Sequence, residues 1–431
     1  MLSISSKQVQ TIADYALEIL EKEGCIYNSG NALSLLSYRG CNIEEKISRA
    51  YIPSQKMKEV LKKFLFKPLS SPKLMSGSAH FFLDMNTKKK RSGTADDAKK
   101  MVAFASQLKN VEILSTMVDL ENTKKQEQYD IILRYSQKPF FVNEYSPEIV
   151  HDLLAMTSIA CGSYKNLQEN PRIYGAIELE SPFCYSASHL DVLGLYAKHG
   201  QTICLKSSYE FSTEIPPQGL LSLQMAEWLA GIFYIHAMEY PCSVCIQLPS
   251  FPFGTKIGHY QSLLDYISYQ HIALLVLEQL SIPVSLPILP ILGLGFLSGW
   301  VVALQRSIAK KFHASYLSDA GKNEPNTFSP LHLLIEDECV SYLNQIDFEK
   351  EDIPNLSLES MLSPSQKKQN LWLSPIFHYN MKDIWRKKKA TWQDTLREYT
   401  IDRWNASKVE PVLSSATLQE LDKVCPAEHH S

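Results

Sequence analysis

The sequence predicts an α/β protein, a (β/α)8 TIM barrel with an N-terminal α-helical extension. Seven short apolar runs alternate with stretches of helical length, which favours a parallel sheet. The chain has 431 residues, enough for one large α/β domain with an extension. It contains neither GxGxxG nor GxxxxGKS/T, and the lack of a glycine-rich phosphate turn favours a barrel over a doubly wound sheet.

Residues 1–70 are predicted to form the helical extension. Apolar residues at helical spacing indicate a first helix, which Gly24 ends in the manner of a C-terminal cap. A second helix is expected at 31–38, and a third follows Pro53 and reaches residue 66. A segment of this size can hold little hydrophobic core of its own.

The barrel is assigned to residues 71–390, and residues 391–431 to a closing helix and a polar tail. Its first seven predicted strands are β-like apolar runs, and the eighth has the weakest pattern. The predicted strands are 111–118, 139–142, 173–179, 202–205, 243–248, 282–289, 313–317 and 375–379.

The clearest part of the pattern is a strand, a helix and a second strand over residues 138–183. Each strand ends in polar residues followed by Ser-Pro, NEYSP at 143–147 and ELESP at 178–182. Ser commonly caps the start of a helix and Pro suits its first turn, so a helix is expected after each strand. The order strand, helix, strand indicates that the two strands run in parallel. Carboxylates and aromatic rings therefore collect at the carboxyl ends of the strands, where such sheets place their sites.

Charge and cysteine content exclude several classes of protein. A net charge of -3 gives no electrostatic reason to bind nucleic acid. The nine cysteines are scattered, which suits a reduced cytoplasmic protein. Cys242 and Cys245 form a CxxC, but they lie in an alternating run without a second ligand pair, so a core strand is favoured over zinc binding or redox chemistry. The N-terminal segment carries Asp14 and Glu18 at positions where a signal peptide needs an uninterrupted apolar run. Its sequence is therefore not typical of a signal peptide.

One apolar segment, residues 282–305, is uncharged and long enough to cross a bilayer. Three prolines in its first nine residues argue against a continuous helix. A buried barrel strand followed by a buried helix gives the same pattern, and we favour that interpretation.

Three blocks in a fixed order resemble the trimethylamine methyltransferase family. They are ALEILEKEGCIYNSGNALSLLSYRG in the N-terminal segment, GTADDAKKMVAFASQLKN before the first predicted strand, and KPFFVNEYSP with the later Glu-Ser-Pro. The similarity extends from about residue 12 to about residue 280, by comparison of pattern alone. The family consists of corrinoid-dependent enzymes, some of which act on quaternary amines.

The resemblance implies a barrel that moves a methyl group from a methylated amine, such as a betaine, to the cobalt of a corrinoid. The corrinoid (cobalamin) would be carried by a partner protein, with no metal bound directly by this chain. A quaternary ammonium has no proton to donate and is held by carboxylates and aromatic faces. The cobalt is itself the nucleophile, so no catalytic side chain is assigned. A homo-oligomer is compatible with the sequence.

On this interpretation the substrate site is built from residues after four consecutive predicted strands. Residues two apart on a strand share a face, so the carboxylates on either side of Leu179 can both point to the barrel mouth. The alternatives are solvated or lysine-paired carboxylates, and tyrosines that pack under loops. The candidates are Glu144, Tyr145, Glu178, Glu180, Tyr209, Glu210 and Gln247.

Three histidines and a lysine are weaker candidates. His189 is expected near a serine-capped helix start, and His236 in an apolar helix. Lys256 and His259 lie in a loop after the fifth predicted strand, where a plain loop role is favoured.

The chain departs from the family pattern in its C-terminal third. It has only standard residues, where the trimethylamine-specific members carry pyrrolysine. After the sixth predicted strand it reads LPILPILGLGF, without a polar side chain, and only Phe377-His378-Tyr379 remains of a later histidine segment. Two alternatives to an active methyltransferase therefore stay open. One is a catalytically inactive barrel acting as a binding or scaffold protein, and the other is a membrane-associated protein.

Overall fold

In the computed structural model, eight parallel strands form a barrel in which each strand pairs with the next along the chain. The structure describes residues 5–63, 72–180, 182–209, 215–250, 263–289, 296–344 and 392–425. The barrel strands are β1 Lys73–Ser76, β2 Val111–Ile113, β3 Phe140–Val142, β4 Ile173–Glu178, β5 Thr202–Lys206, β6 Val244–Gln247, β7 Val284–Pro287 and β8 Tyr316–Ala320.

Two contacts close the ring of strands. β8 pairs with β1, with Leu317 opposite Leu74. Between β2 and β3, Leu114 bridges Phe140, and the amide of Phe141 donates to the Leu114 carbonyl at 2.7 Å. The predicted eight-stranded barrel is thus confirmed.

The position predicted for one strand was wrong. The ring contains Lys73–Ser76 as its first strand and closes without residues 375–379, which lie outside the described part of the chain. The sequence KLMS has only two apolar residues between Lys73 and Ser76, so it gives no apolar run. The other seven predicted strands keep their places and become β2 to β8.

The three helices expected before residue 70 are present, at Ser6–Lys22, Gly30–Tyr38 and Ser54–Lys63. Gly24 has φ +66°, and a Cβ there would lie 2.6 Å from the Ala50 carbonyl oxygen, so this cap needs glycine.

The same segment also contains strands that the helical prediction missed. Cys25–Tyr27 lies between Arg49–Tyr51 and, in parallel, Cys184–Tyr185 from the connection after β4. Asn42–Glu44 pairs with Arg49–Tyr51, with the short 3-10 helix Glu45–Ile47 between them.

This sheet attaches the N-terminal segment to the barrel rim. Tyr27 stacks on Tyr185 with ring centroids 5.6 Å apart, and its hydroxyl donates to the Ala230 carbonyl at 3.0 Å. A second small sheet is built from the segments that follow β1 and β8 in sequence. Its strands are Phe81–Leu83, Lys90–Arg91, Lys322–Glu324 and Thr327–Phe328.

Helices surround the barrel. The Ser-Pro signal after β3 acts as expected, since Ser146 accepts from the Ile149 amide and Pro147 starts the helix. After β4 the next helix begins later than expected, at Ala187, and Ser186 caps it. The helices are Ala95–Ser106, Lys125–Tyr135, Pro147–Ala160, Tyr164–Glu169, Ala187–Lys198, Pro217–Ala237, Leu263–Gln279, Phe296–Lys311, Pro330–Leu343, Trp392–Ala406 and Ser415–Val424.

The apolar segment 282–305 divides into strand β7 and the start of the helix Phe296–Lys311, as the barrel interpretation predicted. Gln305 fixes the end of β7, since its amide donates to the Pro287 carbonyl and accepts from the Leu289 amide, both at 3.0 Å. Ile288 and Leu289 are buried in the main hydrophobic core. Across the described residues, no helix is both long and apolar enough to cross a membrane.

Strand alternation separates two hydrophobic cores. The larger one lies between the strands and the helices. A small inner cluster fills the lower barrel, where the Tyr174 and Tyr316 hydroxyls lie 2.8 Å apart. Cys245 of the CxxC lies on β6 and belongs to this inner cluster, whereas Cys242 precedes the strand and is only partly buried.

We expect Gly175→Ala to lower the free energy of unfolding by about 1–3 kcal/mol, because its Cβ would lie 2.1 Å from the buried ring of Tyr196. Gly194→Ala is the matched control. Nothing lies within 4 Å of a Cβ there, and alanine in this helix should stabilise by about 0.5–1 kcal/mol. Urea unfolding measures both, and equal effects would contradict the close packing of β4 on the helix Ala187–Lys198.

Candidate functional site

Four polar side chains meet at the carboxyl ends of β3, β4 and β5. The Tyr145 hydroxyl lies 2.8 Å from Asn143 Oδ1 and 3.3 Å from Glu178 Oε2. Lys206 Nζ lies 3.2 Å from the same Asn143 oxygen and 3.4 Å from the same Glu178 oxygen. We call Asn143, Tyr145, Glu178 and Lys206 the rim network.

Strand alternation explains why these residues meet. Lys206 lies two residues after Cys204, which faces the inner cluster. Lys206 and Glu178 end adjacent strands and are register partners, so they emerge side by side at the barrel mouth. Glu178 and Tyr145 were predicted from the sequence, whereas Asn143 and Lys206 were not. The same alternation, applied to β3 and β5, would have identified both.

The ion pair in this network is partly solvated. Glu178 is 43% exposed and Lys206 is 22% exposed. An ion pair in contact with water contributes about 0–1 kcal/mol. The Glu178 carboxylate is therefore held only weakly by Lys206.

Aromatic rings border the rim network on one side. The His189 ring meets the Tyr145 ring edge to face, with centroids 4.5 Å apart. His189 is 4% exposed, and burial lowers the pKa of its imidazole, with the negative charges of Glu180 and Glu178 opposing the shift. The ring is therefore neutral at pH 7.

His189 does lie at the helix start that the sequence predicted, where its amide donates to Ser186. Its place at the rim was missed. The signal was its position in the first turn of the helix that follows β4.

Burial raises the pKa of the Tyr145 phenol, and the Glu178 carboxylate raises it further. The phenol thus keeps its proton at neutral pH and acts as a hydrogen-bond donor. Burial also raises the pKa of Glu144, while Lys125 opposes the shift. Glu144 is adjacent to Tyr145 in sequence but interacts electrostatically with Lys125 and Asp119, on the β2 side of the mouth.

Three further predicted residues lie at or just after the carboxyl ends of β4, β5 and β6. Glu180 is exposed, and the intervening Leu179 is buried, in agreement with the expected alternation. Tyr209 packs edge to face on Phe183, with centroids 6.0 Å apart. Gln247 ends β6, and its buried Oε1 has no hydrogen-bond partner. Glu210, Lys256 and His259 lie outside the described residues.

A buried glutamate, Glu227, connects the loops after β4 and β5. Its carboxylate accepts hydrogen bonds from the Phe183 amide at 2.9 Å and from the Ser207 hydroxyl at 2.5 Å. It also accepts from the amide and the hydroxyl of Ser208, at 2.9 and 2.7 Å. Burial raises its pKa, and these hydrogen bonds oppose the shift. Glu227 was not predicted from the sequence, although it is the one carboxylate in the apolar helix Pro217–Ala237.

Among the described residues, no group of three or more His, Cys, Asp and Glu side chains is placed to hold a metal ion.

We expect Glu227→Gln to lower the free energy of unfolding by about 1–3 kcal/mol, because an amide leaves donors of the rim loops unpaired. Glu169→Gln is the control, since Glu169 is exposed and lies 3.9 Å from Lys165. That change should shift the free energy by less than about 0.5 kcal/mol in the same urea titration. Two equally small effects would show that Glu227 does not hold the loops.

Three solved structures are similar to the chain at low sequence identity. The hydroxylamine complex of MtmB is 8% identical, with 97% of this chain and 92% of that chain covered and a TM-score of 0.47. The monomethylamine methyltransferase MtmB of Methanosarcina barkeri is 9% identical, with 97% and 90% covered and a TM-score of 0.45. HydG, a maturase of the [FeFe]-hydrogenase, is 11% identical, with 97% and 94% covered and a TM-score of 0.37. No curated protein matches the chain.

The family model for trimethylamine methyltransferase matches residues 71–251. This segment contains β1 to β6 and the whole rim network. It is shorter than the span of 12–280 expected from the sequence blocks, and it ends before the divergent C-terminal third. The resemblance seen in the sequence is confirmed over residues 71–251, which match the trimethylamine methyltransferase family model.

Proposed function

We propose that this protein is a methyltransferase that moves a methyl group from a quaternary or otherwise methylated amine to the cobalt of a corrinoid protein. The family match supports methyl transfer as the general activity. The observation that carries the proposal is the rim network, in which the Glu178 carboxylate and the Tyr145 ring adjoin the neutral His189 ring.

These groups suit a quaternary ammonium. Such a cation cannot donate a hydrogen bond, so it is attracted by charge and by aromatic faces. Glu178 supplies the charge, and Tyr145 and His189 supply the rings. A cation over an aromatic face gains about 0.5–2 kcal/mol, depending on how far water is excluded.

In the proposed reaction the C–N bond of the methyl donor breaks and its electron pair stays on nitrogen, which leaves as the neutral amine. When bound, the partner's corrinoid (cobalamin) supplies the nucleophile that takes the methyl group. This chain's residues bind the ammonium, orient one methyl group and exclude water from it. The exposure of Glu178 fits this role, since a group carried by a second protein can approach the ligand at the open mouth.

One observation favours the alternative of a catalytically inactive barrel acting as a binding or scaffold protein. Lys206 already lies 3.4 Å from the Glu178 carboxylate, where a ligand cation would bind. If Lys206 stays paired with Glu178 permanently, no ammonium can bind to the Glu178 carboxylate. The two proposals therefore differ in whether a ligand displaces Lys206 from Glu178.

We expect the purified chain to form methylcobalamin from reduced cobalamin and at least one compound in a panel of betaines and methylated amines. Absorbance spectroscopy follows the product. Glu178→Gln should lower the rate at subsaturating amine by about tenfold or more, because the ammonium loses its counter-charge. If no compound yields methylcobalamin, the enzyme proposal fails and the inactive barrel is favoured.

Lys206→Met should raise the affinity for tetramethylammonium up to about fivefold, because it removes a competing cation held by about 0–1 kcal/mol. Glu178→Gln should lower the same affinity. Lys165→Met is the matched control, since Lys165 is 82% exposed on an outer helix. Isothermal titration calorimetry measures all three variants. Weaker binding in Lys206→Met would show that Lys206 positions Glu178 and does not compete with the ligand.

A further inference from the structure

An open groove of about 690 Å³ lies among the helices outside the strand ring. It is lined by residues of the helices Gly30–Tyr38, Ala187–Lys198 and Pro217–Ala237, and by the residues that follow the last of these. None of the four residues of the rim network lines it. The groove is therefore a feature separate from the candidate site.

The helix Ala187–Lys198 contributes a regular face to this groove. Asp191, Gly194, Leu195 and Lys198 all line it, and their spacing of three, four and seven residues places them on one side of the helix. Asp191 and Lys198 are exposed, whereas Gly194 and Leu195 are half-buried. The face thus has an acid at one end, a base at the other, and a small and an apolar residue between them.

The two charges on this face are not matched within the chain. Arg39 and Glu239, the other charged residues of the groove, already pair with each other at 2.6 Å. Among the described residues, neither Asp191 nor Lys198 forms a salt bridge. Seven residues of helix separate them by about 10 Å, too far for an ion pair with each other. Both charges are therefore available to a group outside this chain.

Gly194 lies at the centre of the face, where the rest of the chain does not require a glycine. A glycine inside a helix is less stable than an alanine, because it has more freedom to lose on folding. Nothing in the described structure lies within 4 Å of the Cβ that an alanine would add. Glycine also allows another backbone to approach closely. Its position indicates a contact with a second chain.

The charge pattern of the face is complementary to itself. In a two-fold symmetric interface, the same patch of both copies meets. If two copies of the helix cross antiparallel at Gly194, Asp191 of each copy lies opposite Lys198 of the other, so both ion pairs form together. Around them the groove offers Leu35 and Tyr240, of which Tyr240 is 43% exposed. Apolar and aromatic residues of this kind form the centre of protein interfaces.

We propose that the groove is the interface of a symmetric dimer, in which Asp191 of each copy pairs with Lys198 of the other. This inference does not depend on the proposed function. It has a bearing on the candidate site, because the same helix carries His189, whose ring contacts Tyr145. Dimer formation holds this helix from its outer side.

Sedimentation velocity of the full chain over a series of concentrations tests the interface. The wild type should be a dimer at about 10 μM, as expected of a specific interface. Asp191→Lys and Lys198→Asp should each raise the Kd of the dimer about tenfold or more, since either change places two pairs of like charges together. The double variant, which carries both reversals, should return to within about threefold of the wild type, because the ion pairs form again with their signs exchanged.

Lys90→Asp is the matched control. Lys90 is also an exposed lysine, but it belongs to the second small sheet and does not line the groove. Its reversal should leave the Kd of the dimer unchanged. Thermal unfolding of each variant verifies that the chain is folded.

Three outcomes would overturn the proposed interface. A wild type that stays monomeric at about 100 μM would show that the groove does not join two copies and is open to a different protein. A dimer whose Kd is the same in both single variants would use another surface. If each single variant weakens the dimer and the double variant does not recover, Asp191 and Lys198 do not face each other.

Discussion

Closure of the strand ring is the constraint on which the rest of the molecule depends. A single bridge between Leu114 and Phe140 completes the circle that β8 and β1 close on the other side. Once the ring is closed, every second residue of each strand must point into one narrow interior. Side chains far apart in sequence, such as Asn143 and Lys206, are then brought within hydrogen-bond distance. The site follows from closure and alternation together.

The loops at the barrel mouth are stabilised by a residue that lies outside the ring of strands. Glu227 reaches from an apolar helix to the loops after β4 and β5, and it accepts four hydrogen bonds there. Burying a carboxylate is costly, and it is tolerated here because every bond of the carboxylate goes to a donor of the rim. Phe183, whose amide is one of these donors, has φ +53°. The aromatic part of the mouth therefore has a fixed backbone.

The sequence predicted the barrel because seven of its strands are apolar runs separated by helical segments. It misplaced the remaining strand, because KLMS owes its position to pairing with β2 and β8 and not to its own apolar content. Glu178 and Tyr145 were found because polar residues after a strand stand out in an apolar pattern. Lys206 and His189 were not, because their place depends on which neighbours the fold brings to them.

The parallel pairing of Cys25–Tyr27 with Cys184–Tyr185 has a consequence for how the chain folds. The Cys25 thiol and the Phe183 carbonyl that it contacts are 158 positions apart. On the ribosome, the N-terminal strand is made long before its partner, so one of its edges stays without hydrogen bonds until half of the barrel has been synthesised. An unpaired edge is a template for association with other chains. We expect docking of the N-terminal segment to be a late step in folding, and nascent chains that stop short of residue 185 to be prone to aggregation.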